Sequence, residues 1–163
     1  MRAFIDHEPP SGDTMRARFG TACWLAVACW GTPALAQTAA EVHGALTGAW
    51  LARKAERDGK NARDVVGNRL SFFGRTFEIR SKDGKTLFAG TYDLNPGAKP
   101  ASIDFTHKQG KLKGKAWKGI YALEGGTLTV CDNAVNMKKD RPKAFETKAG
   151  SGIVCIDFQR ATK

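Results

Sequence analysis

The stretch FAGTYDLNPGAKPASIDFTHKQGKLKGKAWKGIYALEGGTLTVC, residues 88–131, decides the fold of this chain. Short runs rich in Thr, Tyr, Ile, Phe and Val alternate in it with Asn-Pro-Gly, Gln-Gly and Gly-Gly sequences. This pattern is typical of antiparallel strands joined by tight connections. The stretch therefore predicts a β-meander, and the flanking segments provide further strands that would close it.

Turn residues divide the chain into eight predicted strands, preceded at residues 37–44 by about one helical turn. The predicted strands span residues 45–54, 68–73, 76–81, 86–94, 101–108, 116–124, 127–132 and 153–160. Asp83-Gly84 favours a hairpin, because this pair tolerates the positive φ of a tight turn. Eight short strands joined mostly by hairpins predict an all-β, eight-stranded antiparallel up-and-down barrel, since closure removes unpaired sheet edges.

The alternation of side chains along the strands supports this barrel. Phe105 and His107 share a predicted face, and Trp117 and Tyr121 share another, whereas the opposite faces are largely polar. A polar second face indicates a sheet with one side in water. A barrel in an outer membrane would show the reverse, an apolar outside on strands of about 9–11 residues.

A signal peptide is predicted over residues 1–36. A basic pair, Arg16 and Arg18, precedes an apolar run of about ten residues, which is the length of a signal h-region and too short for a membrane span. Ala34-Leu35-Ala36 has the pattern of a cleavage site, so residues 37–163 are expected to form the mature barrel domain.

Two alternatives concern this N-terminal segment. The acidic residues and prolines before Met15 are unlike an n-region, so Met15 is the expected start of translation. Residues 25–29 resemble a lipobox that ends in Cys29, which leaves a lipid-anchored form as the alternative to a periplasmic or secreted protein.

Cys131 and Cys155 are the two cysteines of the predicted mature domain. Both are predicted to face outward on neighbouring strands, and an even pair in an exported domain favours a disulfide. Two buried thiols on neighbouring strands remain the alternative.

The formal net charge of the full chain is +10, and the predicted signal peptide contains as many acidic as basic residues. This balance favours acidic partners such as anionic lipid or polysaccharide, and export disfavours nucleic acid. An anionic surface would contact basic residues of the longer connections. The candidates for this surface are Lys111, Lys113, Lys115, Lys118, Lys138 and Lys139. Solvated loops that keep the domain in solution are the alternative for the same lysines.

Three segments carry a resemblance to a known family. GTYDLNPGAKPASIDFT, KGIYALEGGTLTVC and RPKAFETKAGSGIVCIDFQR resemble the lipocalin-like domain family first catalogued in planctomycetes, whose biochemical role is not established. The resemblance covers about residues 46–160 and implies a lipocalin-like barrel. It also implies that Trp50, in a Gly-x-Trp sequence, stacks with Arg160 of the last strand and closes the barrel. Cys155 departs from the family pattern, where an aliphatic residue is expected.

Aromatic residues of the predicted inner face are the candidates for ligand binding. They would form an aromatic mouth with one titratable group, suited to a small apolar or amphipathic ligand. The candidates are Phe77, Phe88, Tyr92, Phe105, His107, Trp117 and Tyr121. An eight-stranded barrel is also narrow enough to be filled by its own side chains, so a filled core is the alternative.

Neither catalysis nor a cofactor is expected. Asp104 and His107 would lie on opposite faces of one strand, and no nucleophile–base pair or paired carboxylates emerge from the sequence. No pair of histidines or cysteines has the spacing of metal ligands. The sequence thus predicts a monomeric, non-enzymatic exported barrel that carries a small ligand, or alternatively an interaction module that binds anionic envelope components.

Overall fold

A computed structural model describes residues 38–162 of the chain. The predicted signal peptide, the Met15 start and the lipobox lie outside these residues. One helix precedes nine strands, and a 3-10 helix lies in one of the connections. The elements are α1 (Ala39–Leu46), β1 (Gly48–Arg57), β2 (Lys60–Asn61), β3 (Arg69–Phe73), β4 (Thr76–Arg80), β5 (Thr86–Asn95), β6 (Ser102–His107), the 3-10 helix (Gly110–Leu112), β7 (Ala116–Glu124), β8 (Thr127–Asp132) and β9 (Val154–Arg160).

Eight antiparallel strands, β1 and β3–β9, form a closed barrel, which confirms the predicted fold class. Each strand pairs with the next along the chain, and β9 returns to pair with β1 over Trp50–Arg57. The two-residue β2 only extends the end of β1. The connections β1–β3, β4–β5, β6–β7 and β8–β9 gather at what we term the upper end of the barrel. Helix α1 and the other connections lie at the lower end.

Strand alternation places the apolar side chains inside the barrel. In β6 and β7, Phe105 and Trp117 are opposite each other, 2% exposed, and both face inward. Tyr92 of β5 pairs with Phe105 and is fully buried. Outward neighbours such as Lys118 are exposed. Burial of one face of each strand stabilises the closed sheet by removing apolar surface from water.

Cys131 and Cys155 form a disulfide, as the sequence favoured. They are directly opposite in the β8–β9 register, with their Cα atoms 4.0 Å apart. The bridge lies on the outer face, where Cys131 packs with Ile120 and Ile153. It closes a segment with a sequence separation of 24, which restricts the unfolded chain and stabilises the fold by about 3 kcal/mol in the loop-entropy account.

The first elements differ from the sequence prediction. The predicted strand at residues 45–54 is wrong at both ends, because α1 continues to Leu46 and β1 runs from Gly48 to Arg57. Thr38 begins the helix with a capping box, in which its Oγ1 accepts from the Glu41 backbone N and Glu41 accepts from the Thr38 backbone N. These bonds satisfy free N–H groups of the first turn and extend the helix beyond the single turn expected.

A bulge in β1 also interrupts the predicted alternation. The register with β9 shifts between Ala52 and Lys54, so Ala52 and Ala55 are both buried inside the barrel. An extra residue in one strand bends it and moves the inward parity by one position. No helix within residues 38–162 has both the length and the apolar character needed to cross a membrane.

Candidate functional site

A cavity of about 280 Å³ opens at the upper end of the barrel, between the β4–β5 and β6–β7 connections. We term it the mouth cavity. Its lining combines apolar side chains with one histidine and the backbone of a glycine-containing loop. The lining residues are Thr86, Leu87, Phe88, Ala89, His107, Gln109, Gly110, Lys111 and Leu112.

Three rings meet beside the mouth cavity. The Phe88 ring centroid lies 5.3 Å from that of His107 and 5.5 Å from that of Trp117, both in edge-to-face geometry. The His107 and Trp117 centroids are 4.3 Å apart. Phe88 is 37% exposed, whereas His107 and Trp117 are each 2% exposed. Phe88 therefore forms the boundary between solvent and two almost completely buried rings that carry polar atoms.

Gly90 allows this arrangement on the β5 side. It lies opposite both Phe77 and His107 in the sheet. A Cβ atom at this position would overlap the carbonyl oxygen of Thr106 and approach the Phe77 ring. Glycine therefore lets β5 approach β6 closely where the His107 side chain turns inward.

Several polar atoms inside the barrel have no hydrogen-bond partner among the described residues. They include His107 Nε2, Trp117 Nε1 and the Tyr121 hydroxyl. Burying such groups without a partner costs free energy, and native structures rarely contain them without a reason. Burial lowers the pKa of His107, so its ring is neutral near pH 7 and can donate or accept one hydrogen bond. Burial also raises the pKa of the Tyr121 hydroxyl.

The barrel below the mouth cavity is packed by aromatic side chains. The Phe77 and Phe105 centroids are 4.8 Å apart, and those of Phe72 and Tyr92 are 4.7 Å apart, both in edge-to-face contact. Phe105 and Trp117 are 5.3 Å apart. Contacts of this kind fill the space that a deep ligand would need.

All seven predicted ligand-binding residues lie on the inner face, but only two of them line the mouth cavity. These are Phe88 and His107. Trp117 lies directly behind them in ring contact. The other four pack within the hydrophobic core and do not line the cavity. They are Phe77, Tyr92, Phe105 and Tyr121.

Helix α1 closes the lower end. Its Val42 and Leu46 side chains are buried in the core. His43 Nδ1 lies 2.8 Å from the Tyr92 hydroxyl oxygen, and that hydroxyl donates to the Gly74 carbonyl oxygen at 2.9 Å. Helix α1 thus covers the lower end of the barrel, and the mouth cavity lies at the opposite, upper end.

The structure also places Trp50 and Arg160 together at the lower end. The guanidinium carbon of Arg160 lies 4.4 Å from the Trp50 ring centroid. Arg160 donates to the Thr47 and Ala45 carbonyl oxygens at the end of α1, and the Trp50 indole N–H donates to the Leu46 carbonyl oxygen at 2.8 Å. This pair joins the helix to the barrel rather than binding a ligand.

The sequence prediction missed Asp132, an inward-facing acid at the end of β8. It lies opposite Gly119 and Val154 and is 7% exposed, and its Oδ1 accepts from the Ala134 backbone N at 2.9 Å. Burial raises its pKa to about 7. The alternation of β8 indicates this position, because Asp132 lies on the same face of the strand as Leu128 and Val130, which point into the core.

The six predicted lysines of the anionic surface lie on three different elements. Lys111, Lys113 and Lys115 belong to the β6–β7 connection, and Lys138 and Lys139 to the β8–β9 connection. The grouping of Lys118 with the basic residues of the longer connections is wrong. It is an outward residue of β7 and is placed there by the strand alternation.

The β8–β9 connection is held on the outer face by Arg141. Its guanidinium forms two bonds with Asp104, of 2.7 Å and 3.0 Å, and also donates to the Gly119 carbonyl oxygen at 2.7 Å. Asp104 therefore has a structural partner, and it faces away from the mouth cavity. Within residues 38–162, no group of three His, Cys, Asp or Glu side chains is arranged to hold a metal ion.

No protein-family model, curated protein or solved structure matches this chain. The resemblance to a lipocalin-like family stays a prediction.

Proposed function

We propose that this protein is an exported, lipocalin-like barrel that binds a small amphipathic molecule non-covalently in its mouth cavity. The observation that carries the proposal is His107, a cavity-lining residue that is 2% exposed and whose Nε2 has no hydrogen-bond partner among the described residues. Because the Phe88 ring lies between His107 and solvent, a ligand with one polar group would reach this atom by moving the Phe88 ring, and it would then remove the cost of burying Nε2 without a partner.

The cavity argues for a small ligand rather than a long one. Its volume of about 280 Å³ is at the lower limit of the roughly 300–1,000 Å³ typical of small-molecule sites. The aromatic packing around Phe105 leaves the deeper barrel occupied by protein. A compact ligand would place its apolar part against Phe88 and Leu87 and its polar group towards His107.

The proposal places the protein in the periplasm as a monomer. The intramolecular disulfide supports this assignment, since such bonds persist in oxidising compartments. The predicted signal peptide at residues 1–36 supports it from the sequence. Further evidence would come from the N terminus of the processed chain.

The chemistry of the site favours binding over catalysis. The mouth cavity is lined by one neutral imidazole and by the polar side chains of Thr86, Gln109 and Lys111, its lining residues include no carboxylate, and Asp104 is paired with Arg141 on the outer face. A hydrolytic mechanism needs a nucleophile with a neighbouring base, or paired carboxylates, within reach of one substrate atom. Two buried rings with free polar atoms are better suited to orienting a ligand.

A titration with matched variants tests this function. Small aromatic and short-chain amphipathic probes are added to the purified protein while tryptophan emission is followed. Saturable binding is expected, and His107→Phe should weaken it roughly three- to tenfold, because the variant keeps the ring and loses one hydrogen bond. Phe88→Ala should weaken it by a similar factor.

Phe73→Ala is the matched control for Phe88→Ala. Phe73 is 83% exposed, next to the β3–β4 turn at the lower end, so its removal should leave the affinity unchanged. Failure of every probe to saturate, or equal effects of the Phe73 and Phe88 variants, would contradict binding at the mouth cavity.

A further inference from the structure

The two connections that flank the mouth cavity are strongly basic. Six of their thirteen residues are lysines, Asp83 is their one acidic residue, and every one of these lysines is exposed. The lysines are Lys82, Lys85, Lys108, Lys111, Lys113 and Lys115. Within residues 38–162, the ion pairs involve other cations, so these six ammonium groups are free to meet an external anion.

Apolar side chains lie between these lysines. Leu87 is 40% exposed and Phe88 is 37% exposed. Leu112, in the 3-10 helix of the β6–β7 connection, is half-buried and also lines the mouth cavity. The β4–β5 register shifts between Ile79 and Arg80, and Leu87 is the unpaired residue of the resulting bulge. Bulged residues are a common means of re-aiming a side chain.

We propose that the upper end of the barrel docks onto an anionic lipid surface. The six ammonium groups would lie at the level of the lipid headgroups, and Leu87 and Phe88 would enter the boundary between headgroups and acyl chains. A free phosphate would satisfy the lysines but would leave the apolar residues in water. A bilayer satisfies both, and this is why a lipid surface fits better than a soluble anion.

The charge of the chain favours the same partner. The formal net charge of +10 attracts the protein to any anionic surface, and the six lysines determine which end faces it. Each lysine near such a surface raises the partition coefficient about fivefold at low ionic strength. The docking uses Leu87 and Phe88, which also line the mouth cavity, but it does not require a small ligand there.

Vesicle co-sedimentation tests the proposal, using the chain as cells process it. Partition onto vesicles with about one-third anionic lipid is compared with partition onto neutral vesicles of the same size. The double variant Lys111→Gln/Lys113→Gln should lower the partition coefficient on anionic vesicles about 30-fold. The control double variant Lys99→Gln/Lys118→Gln makes the same charge change away from the upper end, in the β5–β6 connection and on the outer face of β7, and should lower the partition coefficient less than about threefold.

A third variant tests the apolar contact. Leu87→Gln should weaken the partition roughly fivefold, and this loss should persist when added salt screens the lysines. Binding to anionic vesicles that depends on Lys111 and Lys113 and on Leu87 supports docking by the upper end. Equal losses in the two double variants would overturn it, since net charge alone would then explain the attraction.

Two other results would also overturn the lipid assignment. One is equal binding to neutral and anionic vesicles. The other is binding to a soluble anionic polysaccharide, with the same dependence on Lys111 and Lys113, together with no partition onto vesicles.

Discussion

Replacing Asp132 by asparagine should stabilise the protein at neutral and alkaline pH. The carboxyl faces the barrel interior at the end of β8 and accepts one hydrogen bond, from the Ala134 backbone N. No cation lies within ion-pair distance of it in the part of the chain that the structure describes. Burial without a counter-charge disfavours the ionised form and raises its pKa from 3.8 to about 7.

The sign of the pH dependence follows from the difference between the Asp132 pKa in the folded chain and its ordinary value in the unfolded chain. Below about pH 4 the carboxyl of Asp132 is protonated in both the folded and the unfolded chain, so its ionisation does not affect stability. As the pH rises towards 7, the unfolded chain loses the proton and the folded chain keeps it, so the free energy of unfolding falls. The rise of the Asp132 pKa from 3.8 to about 7 corresponds to a loss of about 4 kcal/mol in the free energy of unfolding above pH 7.

Asp132→Asn keeps the shape of the side chain and its acceptor Oδ1 while removing the ionisation. The variant should be more stable than the parent by about 2–4 kcal/mol at pH 8, and the difference should disappear towards pH 4. This stability difference is measured by urea unfolding of the disulfide-bonded protein at several pH values, with circular dichroism as the signal. Asp83→Asn makes the same charge change in the exposed β4–β5 turn and serves as the control.

A variant no more stable than the parent at pH 8 would refute the reasoning. So would a stability difference of the same size at pH 4 and pH 8, since an isosteric packing effect would then explain it.

Three further changes have defined outcomes. Replacing Cys131 and Cys155 by serine should lower the free energy of unfolding by about 3 kcal/mol in a urea titration, and a loss below about 1 kcal/mol would contradict the loop-entropy account. Tyr92→Phe removes the hydroxyl that joins α1 to the β3–β4 turn and should cost about 1–2 kcal/mol in thermal unfolding. Arg160→Ala should cost about 1 kcal/mol in urea unfolding, because the cation over the Trp50 indole is lost. The same variant should change the intensity and the wavelength of Trp50 fluorescence, and unchanged Trp50 emission would count against this stacking.

The strands of this barrel could be predicted closely from the sequence. The bounds of β7 and β8 match the prediction, and those of β6 and β9 differ by a residue or so, because glycine-containing turns separate short segments with strict alternation. The inward positions of Phe105, His107 and Trp117 follow from the same alternation. The site residues on the inner face were therefore accessible to sequence reasoning.

Features that depend on long-range packing were not predictable in this way. Helix α1 has eight residues, and its length depends on the Thr38 cap and on the burial of Leu46 against the barrel. The bonds between Arg141 and Asp104 join residues 37 positions apart, so no local pattern indicates them. Which aromatic residues line a cavity and which pack together depends on where the connections lie, and alternation alone does not contain that information.

The mouth cavity itself is best tested by the indole N–H signals of the two tryptophans in the barrel. Trp117 Nε1 has no hydrogen-bond partner among the described residues, whereas Trp50 Nε1 donates to the Leu46 carbonyl oxygen at the closed lower end. Trp117 is in ring contact with Phe88 and His107 beside the mouth cavity. Trp50 lies at the opposite end of the barrel and serves as an internal control.

In a two-dimensional ¹⁵N–¹H spectrum, with Trp117→Phe used for assignment, a small amphipathic probe should shift the Trp117 indole signal in a saturable manner. The Trp50 signal should not move. Equal shifts of both signals, or none at concentrations where the probe is fully soluble, would contradict ligand binding at the mouth of the barrel.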